Sequence, residues 1–269
     1  MDGGLPEPVT RRLGPVERYG LRLVLLAGAI VVVTLPFGLL LEQVATDGSF
    51  TRADLWLARW LHGRVVGRPV AVDALQVLSF LGKPIFLAGV VVVVGAWLVR
   101  QHSWRLITFL VVTAIGGGIV DSVMKVVVAR PRPRFDKPVA SAIGKSFPSG
   151  HAMSSTIVYG SVLLILLPVV AQSRRRPLLA GTALLLVLIG LSRLALGVHY
   201  LTDVAGGWLL GAAWLSASVA AFETWRVDRG QRATGALDEG LAPEELAGAG
   251  ADGAGADATD AVVSSGPAA

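Results

Sequence analysis

The chain has no cysteine among its 269 residues, which excludes disulfide bonds, thiolate catalysis and metal sites with cysteine ligands. Charged residues are also scarce: they make up 16% of the sequence, below the roughly 25% that is typical of soluble domains. Hydrophobic residues make up 53%. This composition favours a membrane protein with one helical bundle. The net charge of +5 does not indicate nucleic-acid binding, because the basic residues lie in short loops, where they contact lipid head groups or set topology.

Six apolar stretches are long enough to span a bilayer, which requires about 20 residues. They are residues 21–41, 78–99, 106–128, 152–171, 177–196 and 204–223. These stretches predict an all-α fold: a polytopic membrane protein with a six-transmembrane-helix bundle. The first run is too long for the apolar core of a signal peptide, so we expect no cleavable leader.

The flanking segments differ from the predicted membrane domain at 21–225. Residues 1–20 form a polar N-terminal segment, and residues 226–269 form an Ala/Gly/Asp-rich tail that we expect to be disordered. Between the first two spans, residues 50–64 carry apolar side chains at helical spacing. They predict either an amphipathic helix at the membrane interface or a helix packed on the bundle.

Basic residues indicate the orientation of the spans. Arginines precede the first span, follow the second, separate the fourth from the fifth and follow the sixth. With six spans all four groups lie on one side, which the positive-inside rule assigns to the cytoplasm together with both termini. The loop at 129–150 is an exception, because it places Arg130, Arg132, Arg134, Lys137 and Lys145 on the outer side. Binding of an anion is a candidate reason.

Three polar stretches lie at the predicted outer ends of the spans. The first, "KVVVARPRP", contains Lys125 and Arg132, and by itself it is also compatible with an ordinary basic membrane flank. The second is "PSGH", at 148–151, where a helix is predicted to start. The free N–H groups of a first turn bind anions, and Gly150 allows close approach to the backbone. Ser149 and Gly150 are equally compatible with a simple helix cap.

The third stretch, "SRLALGVHYLTD", contains Arg193, His199 and Asp203. His199 and Asp203 are four residues apart and share a helix face. The carboxylate can therefore hold the Nδ1 proton of the imidazole and leave Nε2 free as a nucleophile or base. An incidental His–Asp pair at a helix cap is the alternative. The histidines outside these stretches, His62 and His102, are interpreted as interface or loop residues.

Together the three stretches resemble the signature of the type 2 phosphatidic acid phosphatase superfamily, the lipid phosphate phosphatases. The signature reads Lys, six residues and Arg-Pro; then Pro-Ser-Gly-His; then Ser-Arg, five residues, His, three residues and Asp. Here it runs from Lys125 to Asp203 with every position matched. The resemblance implies a metal-independent membrane phosphatase whose active site faces the extracytoplasmic side of the cell membrane.

The resemblance also implies a role for each residue. His199 is expected to be the nucleophile that becomes a phosphohistidine, Asp203 to orient it, and His151 to act as general acid and then as general base. The expected phosphate ligands are the side chains of Lys125, Arg132 and Arg193 and the backbone N–H groups of Ser149 and Gly150. Asp121, one turn before Lys125, either holds this lysine or is a structural cap.

No metal or other cofactor is expected, because the three stretches hold three cations but too few oxygen ligands for a magnesium or zinc site. The expected substrate is a membrane lipid phosphate or a polyprenyl pyrophosphate. Two alternatives remain open: a phosphatase for a water-soluble phosphate ester, and a non-catalytic protein that binds or transports lipid phosphates. The sequence does not identify the lipid or the oligomeric state.

Overall fold

A computed structural model of the chain describes residues 35–46, 48–231, 234–237 and 239–246. These residues form helices and no strand, in agreement with the predicted all-α class. The helices are α1 (Leu35–Ala45), α2 (Ser49–Val65), α3 (Pro69–Phe80), α4 (Pro84–Arg100), α5 (Trp104–Val128), α6 (Gly150–Leu166), α7 (Gln172–Ala195), α8 (Leu201–Asp228) and the short α9 (Pro243–Leu246).

Four helices are long and apolar enough to cross a membrane: α5, α6 with its 3-10 extension to Val169, α7 and α8. The α3–α4 pair is a fifth candidate, although its two helices are bent by 44°. The predicted first span, 21–41, lies largely outside the described residues, and only its last part is seen as the start of α1. The described residues therefore hold four or five of the six predicted spans.

The predicted second span, 78–99, is not one continuous helix. α3 ends at Phe80 and α4 begins at Pro84. Proline disfavours a helical conformation in the residue before it, and Lys83 is accordingly extended, with φ −68° and ψ 141°. The break at Leu81–Lys83 therefore follows from Pro84.

α6 is the central helix: 61% of its 18-residue apolar stretch is buried, against 28% for the corresponding stretch of each of α5, α7 and α8. Its contact with α8 depends on glycine. A Cβ atom on Gly207 would lie 2.7 Å from the carbonyl oxygen of Ser149, and one on Gly211 would lie 2.9 Å from that of Met153. This close approach brings the start of α8 against the start of α6.

α2 confirms the helix expected at residues 50–64. Asp54, Ala58 and His62 are buried, in a helix that packs on α7 and α8. Trp56 and Trp60 remain 65% and 43% exposed. The helix is thus amphipathic and at the same time packed on the bundle.

The structure differs from the predicted disordered tail at residues 239–246. Leu241, Ala242 and Leu246 are buried in an apolar cluster with side chains of α5 and α6. Arg226 of α8 donates hydrogen bonds of 2.6 and 2.8 Å to the two carboxylate oxygens of Glu244. Leu241, Leu246 and the buried Arg226 hold this segment on the bundle, although its sequence lacks apolar periodicity. The rest of the predicted tail, 247–269, lies outside the described residues.

Candidate active site

The fold brings the three polar stretches together at one end of the bundle. This end is formed by the last turns of α5 and α7 and the first turns of α6 and α8. The shared contacts link Lys125 to Gly150, Ser149 to Asp203 and Arg132 to His199. Residues 78 positions apart in the chain, Lys125 and Asp203, thus belong to one cluster.

His199 is almost completely enclosed, with 1% of its surface exposed. Its Nδ1 lies 3.3 Å from Oδ2 of Asp203, and its Nε2 lies 3.0 Å from Nη1 of Arg132. A guanidinium group can only donate, so Nε2 accepts and the ring proton lies on Nδ1, facing the carboxylate. Burial lowers the pKa of His199 to about 4, against the opposing effect of Asp203. The imidazole is therefore neutral at pH 7, with the tautomer that a nucleophilic Nε2 requires.

Asp203 is held by more partners than His199 alone. Its Oδ2 accepts the backbone N–H of Tyr200 at 2.8 Å and the hydroxyl of Ser146, and its Oδ1 accepts Nη1 of Arg130 at 2.6 Å. The carboxylate is fully buried. These bonds hold the charged carboxylate in one orientation, from which it fixes the His199 ring.

A buried ion network extends from Asp203 to α2. Arg130 donates from Nη2 to Oδ2 of Asp54 at 2.9 Å and from Nη1 to the hydroxyl of Thr202 at 2.8 Å. Asp54 also accepts the backbone N–H of Thr202 at 3.0 Å. Burial acts to lower the pKa of Arg130, but the two carboxylates outweigh it and the pKa is raised. α2 is thereby anchored to the start of α8.

Sequence reasoning missed this network. It counted Arg130 only as one of five basic loop residues, and it did not consider Asp54. One signal was available: Asp54 lies on the same helix face as Ala58 and His62, the face that is buried. A carboxylate on the buried side of an amphipathic helix requires a cationic partner.

Lys125 and the start of α6 form the second part of the site. Lys125 pairs with Asp121, as one of the two expectations for Asp121 proposed. A Cβ atom on Gly150 would lie 2.8 Å from Nζ of Lys125, so the ammonium group is next to the first turn of the helix. N–H groups of this turn have no partner within the helix. A cation and free amides thus meet where an anion can bind.

The backbone N–H group of Ser149, an expected phosphate ligand, already has a partner. It donates to the carbonyl oxygen of Asp203 at 2.9 Å, so it is not free for a phosphate in this arrangement. The hydroxyl of Ser149 is buried and finds no hydrogen-bond partner among the residues described. If Ser149 binds phosphate, this hydroxyl is the group available. Gly150 remains a backbone candidate.

His151 and Arg193 complete the cluster. Nε2 of His151 is buried and has no partner in the described part of the chain. Arg193, 7% exposed, donates from Nη1 to the hydroxyl of Ser79 at 2.5 Å. The positive charges close enough to act on His151 are those of Arg193 and Lys125 and also that of Lys83. Lys83 was not considered in the sequence analysis.

Only some of the basic residues in the loop at 129–149 reach the site. Of its five basic residues, Arg132 reaches His199 and Arg130 belongs to the buried network, while Arg134, Lys137 and Lys145 are exposed. His62 anchors the loop from α2. Its Nε2 lies 2.9 Å from the carbonyl oxygen of Lys137, and its ring stacks on Phe135 at 3.9 Å. His62 is thus a buried packing residue rather than an interface residue.

Within the described ranges, no group of three or more His, Asp or Glu side chains is arranged to hold a metal ion. The positive charge around the site comes from side chains of the protein.

The part of the chain that holds this cluster matches a known protein family. The model of the PAP2 superfamily matches residues 105–226, which run from the start of α5 into the end of α8. Phosphatidylglycerophosphatase B of Bacillus subtilis (strain 168) is 32% identical over 152 residues, covering 55% of this chain and 73% of the relative. The expected family resemblance is thereby confirmed.

Two further matches agree. Decaprenylphosphoryl-5-phosphoribose phosphatase of Mycolicibacterium smegmatis is 35% identical over 160 residues, covering 55% of this chain and 77% of the relative. The crystal structure of a transmembrane PAP2 type phosphatidylglycerolphosphate phosphatase from Bacillus subtilis superimposes with a TM-score of 0.67 at 25% identity. It covers 73% of this chain and 96% of that one.

Proposed function

The chain belongs to the PAP2 superfamily, and we propose that it is an integral membrane phosphatase that hydrolyses the terminal phosphate of a lipid phosphate or polyprenyl pyrophosphate. The observation that carries this proposal is the line from Asp203 through His199 to Arg132. It holds a neutral, buried imidazole with Nε2 beside a cation, as nucleophilic attack on a phosphate requires.

In the first half-reaction, Nε2 of His199 attacks phosphorus. The new N–P bond forms as the bond from phosphorus to the leaving oxygen breaks, in line with the attack. His151 donates a proton to the leaving oxygen. The ring of His199 becomes cationic in the phosphohistidine, and Asp203 stabilises that charge through Nδ1.

In the second half-reaction, His151 removes a proton from a water molecule, which attacks phosphorus from the side that the leaving group has vacated. The N–P bond breaks and inorganic phosphate leaves. Arg132 has to exchange its bond to Nε2 for one to a phosphoryl oxygen when substrate binds. Lys125, Arg193, the N–H of Gly150 and the hydroxyl of Ser149 are the other proposed ligands of the phosphoryl group.

Transition-state charge in phosphoryl transfer is stabilised by fixed positive charge around the equatorial oxygens. Lys125, Arg132 and Arg193 supply it here, and we propose that the reaction is independent of metal ions. Addition of EDTA should therefore leave the rate unchanged within about twofold. A rate that collapses and is restored by magnesium would contradict this part of the proposal.

The proposed location is the outer face of the cell membrane, with six spans and both termini in the cytoplasm. The site lies at the end of the bundle opposite Arg100, Arg105 and Arg174–Arg176, the residues that the positive-inside rule assigns to the cytoplasm. The names of the two curated relatives, a phosphatidylglycerophosphatase and a polyprenyl-linked phosphoribose phosphatase, support a lipid substrate.

The test is phosphate release by the full chain purified in detergent, with His199→Ala as the control. The substrates are a polyprenyl pyrophosphate, phosphatidylglycerol phosphate, phosphatidic acid and a sugar phosphate. Release from a lipid by the wild type, and at least about 1,000-fold less by the variant, is expected for a nucleophile. Release by the variant at the wild-type rate would remove His199 from this role. Release from the sugar phosphate alone would replace the lipid with a soluble ester.

A further inference from the structure

The break between α3 and α4 lies against the proposed general acid. A Cβ atom on Gly82 would lie 3.2 Å from Cδ2 of His151 and 3.1 Å from Oγ of Ser155. Glycine at this position therefore lets the backbone of the break approach the His151 ring. The next residue along the chain is Lys83, whose charge is close enough to act on that ring.

The chemistry of the proposed function, on which this inference rests, assigns a direction to the substrate. Attack and departure are in line, so the leaving oxygen lies on the far side of phosphorus from His199. The group that protonates this oxygen is His151. The part of the substrate beyond the leaving oxygen must then pass residues that lie next to His151, and these include the residues of the α3–α4 break.

The break opens towards lipid. Val77 and Phe80 before it are 66% and 44% exposed, and Ile85 after it is 75% exposed. Apolar side chains exposed on a membrane helix contact acyl or prenyl chains. Lys83 is exposed among them, and its Nζ lies 5.6 Å from the ring centroid of Phe80. No carboxylate in the described part of the chain forms an ion pair with it.

We propose that Lys83 binds a second anionic group of the substrate, beyond the leaving oxygen, and thereby selects lipids in which a second phosphate follows the terminal one. Diphosphates of polyprenols, and phosphodiester lipids that end in a phosphomonoester, belong to this class. A lipid whose single phosphate is attached to an uncharged chain does not. Lys83 lies before residues 105–226, which the family model matches, so it is a place where this chain can set its own selectivity.

The sharpest test compares the diphosphate and the monophosphate of the same prenyl alcohol, which differ only by the second phosphate. Lys83→Met keeps the length of the side chain and removes its charge. A charge-assisted hydrogen bond corresponds to about 10- to 100-fold in affinity. We expect kcat/KM for the diphosphate to fall by that factor, mainly through KM, while the value for the monophosphate changes less than about twofold.

Two variants serve as controls. Lys83→Arg keeps the charge and should retain most of the preference for the diphosphate. Arg64→Met removes another basic side chain, which stacks on Trp60 at 3.9 Å on α2, and should leave both substrates unchanged. Equal losses on the two substrates with Lys83→Met, or no loss on the diphosphate, would overturn the proposal.

Binding separates this inference from the proposed function. In a His199→Ala background, the Kd of the diphosphate should rise about 10- to 100-fold when Lys83 is also changed to Met, with the Kd of the monophosphate unaffected. If the wild type released no phosphate from either compound but this difference in Kd persisted, the proposed reaction would fail and the role of Lys83 would stand. If the wild type released phosphate but the two Kd values did not differ in this way, the proposed reaction would stand and the role of Lys83 would fail.

Discussion

Replacing Arg130 with methionine should strongly destabilise the protein, because it removes the cation between two buried carboxylates. Arg130 is 7% exposed, Asp54 2% and Asp203 0%, and its hydrogen bonds to them measure 2.9 and 2.6 Å. Removing one partner of a buried ion pair costs about 3–5 kcal/mol, because the remaining charge is left uncompensated. At about 2–4 °C per kcal/mol for a chain of this size, the melting temperature should fall by roughly 6–20 °C.

The assay is thermal unfolding in detergent, followed by phosphate release below the melting temperature. Arg130→Lys should lose less stability than Arg130→Met, because it keeps the positive charge, but it should still be less stable than the wild type, because one ammonium group cannot bridge both carboxylates as the guanidinium fork does. Arg134→Met, an exposed arginine of the same loop, is the matched control and should change little. Activity of Arg130→Met should also fall, since Asp203 loses one of the bonds that orient it towards His199.

A double variant tests the cause of the effect. Adding Asp54→Asn to Arg130→Met removes one of the two uncompensated charges and should recover part of the lost stability. A melting temperature of Arg130→Met within about 2 °C of the wild type, or a double variant less stable than the single one, would refute the reasoning from buried charge.

Three further outcomes are expected. Gly150→Ala should cut kcat/KM about 10-fold or more at nearly unchanged stability, because its methyl group displaces the flexible Nζ of Lys125. Gly89→Ala is the control, since a Cβ atom there meets nothing within 4 Å. Equal activities of the two variants would contradict this explanation. Since the pKa of His199 is about 4 in the folded protein and 6.5 ordinarily, the unfolded chain takes up the proton first and stability is lost as pH falls from 6.5 to 4. The melting temperature of His199→Gln should fall less over this range than that of the wild type. Equal decreases for the two proteins would contradict the lowered pKa of His199. Truncation after residue 228 should lower the melting temperature, because it removes Leu241 and Leu246 from the apolar cluster; an unchanged value would show that this packing contributes nothing.

The sequence by itself was sufficient for those features that depend on residues close together in the chain. The apolar runs predicted α5 to α8, because span length and hydropathy are local properties. The four-residue spacing of His199 and Asp203 predicted their contact for the same reason. The order of the helices then predicted that Lys125, Gly150 and Asp203 share one end of the bundle, as the structure shows.

Tertiary structure decided the contacts between residues far apart in the chain. Asp54 and Thr202 are 148 residues apart, and no pattern in either segment indicates that they meet. The backbone N–H of Ser149 was expected to bind phosphate, but the close packing of α6 and α8 gives it to the carbonyl oxygen of Asp203. The approach of Gly82 to His151 likewise depends on the fold of α3 and α4 against α6. Local spacing determines which groups one helix presents, whereas the packing of helices determines which of those groups already have partners.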